Sequence, residues 1–252
     1  MQDPKNYDAA AGLLDDRIIL VTGATDGIGK ALAIRCAELG ARVIVHGRNV
    51  KKLEAVYDEI EAIDGAPRPS IVVLDLEKAD AAAYTSLADN LEAEYGRLDG
   101  LVHNASILGE RYPLEQYDVV MWQRVMHVNV TAAFALTQVL LPMLKASDDP
   151  SVIFTSSGVG TVKKVGKAHW GAYSVSKYAG EAIGYVLSEE FAHTRLRSNI
   201  VNPGPVRTKL RASAYPAEDR ESVTLPGDML AAYLYLLGPD SQGVTGELIN
   251  AQ

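Results

Sequence analysis

Apolar residues gather in seven short, nearly unbroken runs: Ile18 to Val21, Val43 to Val45, Ile71 to Leu74, Leu101 to Val102, Val152 to Phe154, Ile200 to Val201 and Leu248 to Ile249. A strand with one wet face alternates apolar and polar positions, so unbroken runs predict strands buried on both faces, as in parallel sheets. Between the runs apolar residues recur at helical spacing. Ile28, Ala31, Leu32, Cys36 and Leu39 form one stripe, while Lys30 and Glu38 face away. Strands alternating with helices through short joins need crossover connections, which predicts an α/β fold: a doubly wound parallel sheet with helices on both faces. The longest helix is predicted from about Tyr117 to Leu144, with Val125, Val128, Ala132, Ala135 and Val139 at core-like spacings and Pro142 bending or ending it. The polar, charged stretch from Pro205 to Pro226 reads equally as a flap beside a site or as an ordinary surface connection.

Composition narrows the function classes. The 252 residues fit a single α/β domain, and 48% apolar with 22% charged residues is the balance of a globular enzyme rather than a disordered chain. The net charge of −8, with no lysine or arginine block larger than Lys163-Lys164 and Lys167, gives a nucleic-acid partner little support and favours a small molecule. The single cysteine, Cys36, lies in an apolar stripe and reads as a core residue. Met1 to Tyr7 lack the basic and apolar regions of a signal peptide, and Thr137, Gln138 and Pro142 interrupt the apolar stretch Ala132 to Leu144. A cytoplasmic location with no membrane partner is expected. His46, His103, His127, His169 and His193 show no metal-ligand spacing, so no metal is expected.

Two groups of residues carry chemistry. Gly23, Gly27 and Gly29 follow the first strand and open the first helix, where missing side chains let a phosphate reach backbone amides at a helix N-terminus. The spacing lacks the glycine and the serine or threonine of an ATP-binding loop, and a tight strand-to-helix turn is the plain alternative. Tyr173 and Lys177 stand four apart, so on a helix they share a face, and the lysine charge would favour the tyrosine phenolate. Taken alone, that pair reads equally as packing.

The ordered set Thr22-Gly23-x-x-x-Gly27-x-Gly29, Asp75-Leu76, Asn104-Ala105, Asn129, Ser157, Tyr173-x-x-x-Lys177 and Pro203-Gly204 resembles the short-chain dehydrogenase/reductase family over nearly the whole chain. Asp16 to Gly23, Trp170 to Tyr173 and Arg211 to Ala214 look more narrowly like its bacterial YciK-type branch. The resemblance implies a single-domain Rossmann-like fold of seven strands, a nicotinamide cofactor, and a homodimer or homotetramer built through the helices of Asn129 and Tyr173. It also implies interconversion of a carbonyl and an alcohol on a small, uncharged or weakly polar substrate, by hydride transfer with Tyr173 as general acid and base. Ser157 would polarise the carbonyl, with Ser156 as its local rival, Lys177 would assist Tyr173, and Asn129 would hold a water in a proton relay.

For the cofactor the resemblance places Thr25, Asp26 and Ile28 with the three glycines at the phosphates, and Asp75 and Leu76 at the adenine. Asn104, Ala105, Tyr173 and Lys177 border the cofactor, while Pro203, Gly204, Val206 and Thr208 meet the nicotinamide end. Gly47 stands where an acidic residue would bind the NAD ribose, and Arg48 could pair with a 2′-phosphate, so NADP is favoured over NAD. Asp26 counts against this, either repelling the phosphate or holding Arg48. Ser106 occupies a place where relatives usually carry glycine. The stretch from Ser157 to Tyr173 is longer than usual around Lys163 to His169, and Trp170, Leu108, Arg111 and Tyr215 are further pocket candidates. A cofactor-sensing or scaffolding protein is the competing class. A sugar-nucleotide epimerase would need a longer region after Pro203.

Overall fold

The computed structural model describes residues 3–160 and 167–252, and the Lys163-Lys164 pair lies outside them. Each predicted run falls on a strand: β1 (Ile18–Thr22), β2 (Arg42–Gly47), β3 (Ser70–Val73), β4 (Gly100–His103), β5 (Ser151–Thr155), β6 (Arg197–Asn202) and β7 (Leu248–Asn250). They pair in parallel as one sheet in the order β3-β2-β1-β4-β5-β6-β7. Successive side chains of a strand point to opposite faces. Ile19, Val21, Val43 and Val45 accordingly pack on one face with Leu32 and Cys36 of α1 (Gly27–Glu38) and Leu53 and Val56 of α2 (Val50–Glu61). Leu20 and Ile44 point the other way, to Leu87 and Leu91 of α3 (Ala81–Tyr95). Cys36 is fully buried, and burial pushes its thiol up to about 12, so it is an inert core residue.

The long predicted helix is continuous from Val119 to Lys145 but changes its winding. It runs as α4 (Val119–Met126), a π turn (His127–Thr131) and α5 (Ala132–Lys145), with Pro142 inside its last turn. Its apolar residues Leu136, Leu140, Met143 and Leu144 are buried in the same cluster as α3. Three further α-helices follow among the described residues: α6 (Gly171–Glu190), α7 (Lys209–Ala214) and α8 (Ala231–Leu237). Several helix starts are fixed by side-chain oxygens that accept the first free amides. Asn49 caps α2 through Lys52 N at 3.1 Å, and Asp80 caps α3 through Ala83 N at 2.9 Å.

A charge network closes the amino-terminal end of the sheet. Asp149 accepts from Arg17 at 2.9 Å and pairs with Arg197 at 3.1 Å, while Arg197 also donates to Leu236 O and Ser241 Oγ at 2.9 and 2.6 Å. The Arg197 side chain is 4% exposed, so it depends on that carboxylate, whereas the neighbouring Asp148–Arg195 pair lies in solvent. Asp149→Ala is expected to lower unfolding stability by roughly 3–5 kcal/mol because it strands a buried cation, and Asp148→Ala by less than about 0.5 kcal/mol. Urea unfolding of the two variants checks this, and equal effects would contradict the assigned role of Asp149.

Candidate active site

Strand order reverses between β1 and β4, so the connections leaving their carboxyl ends diverge and open a crevice. A cavity of about 350 Å³ occupies it. The floor is stitched by Thr22, whose hydroxyl donates to Val102 O at 3.1 Å and accepts from Asn104 N and Ala105 N at 2.9 and 3.1 Å. Asn104 Nδ2 in turn donates to Thr22 O at 3.1 Å, so this residue does tie the two strands together. A side chain at Gly29 would collide with Gly23 O and start 2.5 Å from Asn104 Nδ2. Gly23 itself has φ 67° and lies 2.9 Å, by its missing Cβ, from Ala105 Cα. The glycine loop is therefore bare out of necessity, and Gly23, Thr25, Asp26, Gly27 and Ile28 face the cavity beside the start of α1. That is an anion cradle of the kind a cofactor pyrophosphate fits.

One end of the cavity is lined by His46, Gly47, Arg48, Asp75, Leu76 and Glu77. A Cβ on Gly47 would stand 2.8 Å from the Thr25 methyl, so the end of β2 is kept clear of any acidic side chain. The Arg48 side chain is 60% exposed and only loosely paired with Glu77, at 3.7 Å. Asp26 does not hold Arg48. It caps α1 through Gly27 N at 2.8 Å and pairs with Lys209 at 2.5 Å. The Lys209 contact is the largest of the effects holding the Asp26 carboxyl below its ordinary range. Asp75 accepts from Glu77 N at 3.2 Å, which turns the chain along the cavity wall.

At the other end stand Tyr173 and Lys177 on α6, one turn apart and both buried. Lys177 Nζ lies 5.7 Å from the Tyr173 ring centroid and donates to Thr155 O at 2.9 Å. Burial nonetheless outweighs the expected lowering of the phenol by this cation. Desolvation pushes Tyr173 up to about 12, against hydrogen bonds from Ser157 and Ser106 that favour the phenolate. Burial also brings Lys177 down to about 8. Ser156 turns away to hydrogen-bond Glu181, so Ser157 is the serine that meets the tyrosine. The Ser106 hydroxyl joins it, a contact that no local pattern marks.

Asn129 sits in the π turn, and the altered winding aims it inward. Its Nδ2 donates to Ile107 O and Ser176 Oγ, both at 2.9 Å, and its Oδ1 accepts from Ile107 N at 2.8 Å. Both amide hydrogens are engaged within the protein, so a water held here would bond to an Asn129 oxygen. The side chain holds the loop after β4 against α6, a positioning function.

The remaining wall comes from Pro203, Gly204, Val206 and Thr208, then Lys209, Leu210, Arg211, Ala214 and Tyr215 of the α7 region. Thr208 caps α7 through Arg211 N at 3.1 Å. The stretch from Pro205 to Pro226 is tied down by Arg207 N to Thr224 O at 2.8 Å and Thr224 Oγ1 to Gln252 Oε1 at 2.8 Å. It is part of the cavity wall rather than a plain surface connection. Trp170 and Tyr173 cluster with Leu108, Leu210, Ala214 and Tyr215, so the pocket candidates do converge. Lys209 and Glu77 escape sequence reasoning because their partners are remote in the chain. Among the described residues no group of histidine, cysteine or carboxylate side chains could hold a metal.

The fold and this crevice define a nucleotide-binding oxidoreductase class, and the short chain dehydrogenase family model matches residues 17–219. The chain belongs to the short-chain dehydrogenase/reductase family. It is 46% identical over 247 residues to the oxidoreductase YciK of Escherichia coli K12, covering 98% of this chain and 96% of that one. A short chain dehydrogenase of Shigella flexneri 2a complexed with NADP superimposes with a TM-score of 0.92 at 46% identity, covering 96% of this chain and 100% of that one. One from Escherichia coli CFT073 complexed with NADPH gives 0.92 at 47% identity, with 96% and 98% covered.

The buried lysine has a measurable cost. Its folded value of about 8 lies below the ordinary 10.5, so between these values the unfolded chain binds more protons and stability rises with pH. Below about 8 the penalty is fully present. Lys177→Met is expected to stabilise the protein at neutral pH by roughly 1–3 kcal/mol, after the lost Thr155 hydrogen bond is counted. The gain should shrink towards strongly alkaline pH. Thermal unfolding across that range tests it, and a variant less stable at neutral pH would contradict the cost of burying Lys177.

Proposed function

We propose that this protein is an NADP-dependent oxidoreductase that interconverts a carbonyl and an alcohol on a small organic substrate, with Tyr173 as the proton-transferring residue. The observation that carries this reading is the convergence of Tyr173, Lys177, Ser157 and Ser106 on the wall of one glycine-cradled crevice. The nicotinamide, when bound, supplies or accepts the hydride. A phenol raised to about 12 keeps its proton at neutral pH, which is the form needed to protonate a carbonyl oxygen during reduction. Ser157 donates to the same oxygen and fixes its direction. Lys177, mostly charged at neutral pH, offsets negative charge developing at the tyrosine in the reverse reaction. Asn129 keeps the β4 loop and α6 in register.

Preference for NADP is supported by the loosely held Arg48, by the bare Gly47, and by Lys209, which neutralises the one carboxylate at the loop. The relatives solved with NADP and NADPH point the same way. A homodimer or homotetramer would cover the apolar side chains left exposed on the long helices, namely Val119, Val120 and Phe134 on α4 and α5 and Val175, Tyr178 and Val186 on α6. A cytoplasmic location is in keeping with a buried free thiol.

Tyr173→Phe is expected to lower kcat/KM at least about 100-fold across a carbonyl panel with NADPH while leaving NADPH binding intact. Turnover unaffected by that change would overturn the assignment, and binding without any turnover in the native protein would favour a cofactor sensor. Arg48→Ala should weaken NADPH binding about tenfold and leave NADH binding nearly unchanged. Equal effects on the two cofactors would remove the basis for NADP. Light scattering is expected to give a dimer or tetramer mass, and a monomer would reject the helix-mediated assembly.

A further inference from the structure

Three separate segments bring positive charge to Trp170 and Tyr215, two aromatic residues of the cavity wall. Trp170 is the centre of that wall, its ring centroid 5.8 Å from that of Tyr173 and 5.6 Å from that of Tyr215. The Arg111 guanidinium, from the loop after β4, lies 4.8 Å over Trp170 and 5.5 Å from Tyr215, and it donates to Ala214 O. The Lys167 ammonium lies 5.7 Å from Trp170 and 5.0 Å from Tyr215, and it donates to the Tyr215 hydroxyl at 2.8 Å. Arg211 stacks on Tyr215 at 4.0 Å, but its charge is already matched by two hydrogen bonds to Glu218, at 2.8 and 2.5 Å.

Arg111 and Lys167 have no carboxylate partner among the described residues. In a chain of net charge −8, two unmatched cations on one wall are an unusual concentration. Contact with ring faces holds a cation in place without neutralising it, and it leaves most of the guanidinium donors unused. Below them the wall is apolar, formed by Leu108, Val159, Leu210 and Ala214 around Trp170. A weakly polar substrate would use the wall but not the cations.

We propose that the substrate is a carbonyl compound, or the matching alcohol, with a carboxylate remote from the reacting carbon, bound by Arg111 and Lys167. This rests on the catalytic reading above and adds the substrate class to it. The reacting oxygen meets Tyr173, the apolar body lies along Trp170, and the carboxylate reaches the planar fork of Arg111 with Lys167 beside it.

The test uses the NADPH-loaded protein with para-acetylbenzoate and its methyl ester, which differ at the far end of the ring in charge and by one methyl group. Steady-state kinetics and, with NADP-loaded protein, calorimetric binding are compared for the native chain, Arg111→Gln, Lys167→Gln, the double variant and Arg111→Lys. The acid is expected to bind about tenfold tighter than the ester. That ratio should fall towards one in the double variant and at high salt, and it should be partly retained in Arg111→Lys, which keeps the charge. Because it is a ratio within each protein, a general loss of fold does not imitate it. An ester bound as well as the acid, a ratio that survives the double variant, or binding of neither congener overturns the proposal. Acid binding that depends on Arg111 and Lys167 without turnover leaves the proposal standing and sinks the catalytic reading. Turnover of both congeners with equal KM does the reverse.

Discussion

The reversal of strand order between β1 and β4 is the constraint from which the rest of the molecule follows. Two neighbouring parallel strands send their chains to opposite faces of the sheet, and a crevice must open between them. The Thr22 hydroxyl and the Asn104 amide keep the backbones at that point fixed. Only with that floor in place do the distances at Gly23 and Gly29 leave no room for a side chain. The glycine loop is thus a consequence of how closely two strand ends approach.

Burial sets the electrostatics at the other end of the crevice. A tyrosine and a lysine on one helix face would, in water, be a charge pair in which the cation favours the phenolate. In the closed packing of α6 against β5 both groups are desolvated, and each moves towards its neutral form. The hydroxyls of Ser157 and Ser106 share the cavity lining with that tyrosine. The lysine is carried at some expense to stability, as functional groups often are.

Charge is distributed unevenly over the molecule. The acidic total conceals cations concentrated around the crevice: Arg48 and Lys209 towards one end, Arg111 and Lys167 towards the other. Some cations at the crevice are neutralised inside the protein, as with Lys209 on Asp26 and Arg211 on Glu218. Arg48, with its single loose contact, and Arg111 and Lys167, held by ring faces, have no such close carboxylate partner among the described residues.

Strand positions, the helical stripe of Cys36 and the pairing of Tyr173 with Lys177 were legible in the amino-acid order because each depends on a short repeat, two residues for a strand and about four for a helix. Sequence order also carried the family resemblance. Pattern alone could not choose between Ser156 and Ser157, since the chain leaves regular strand geometry at Thr155 and their directions depend on Glu181 and Tyr173 in α6. Nor could it show that Asp26 pairs with Lys209 rather than Arg48, that Asp149 joins Arg17 to Arg197, or that Arg111, Lys167 and Tyr215 share one wall. These contacts join residues far apart in the chain, and no local period encodes which of many possible partners the packed sheet brings within hydrogen-bonding distance.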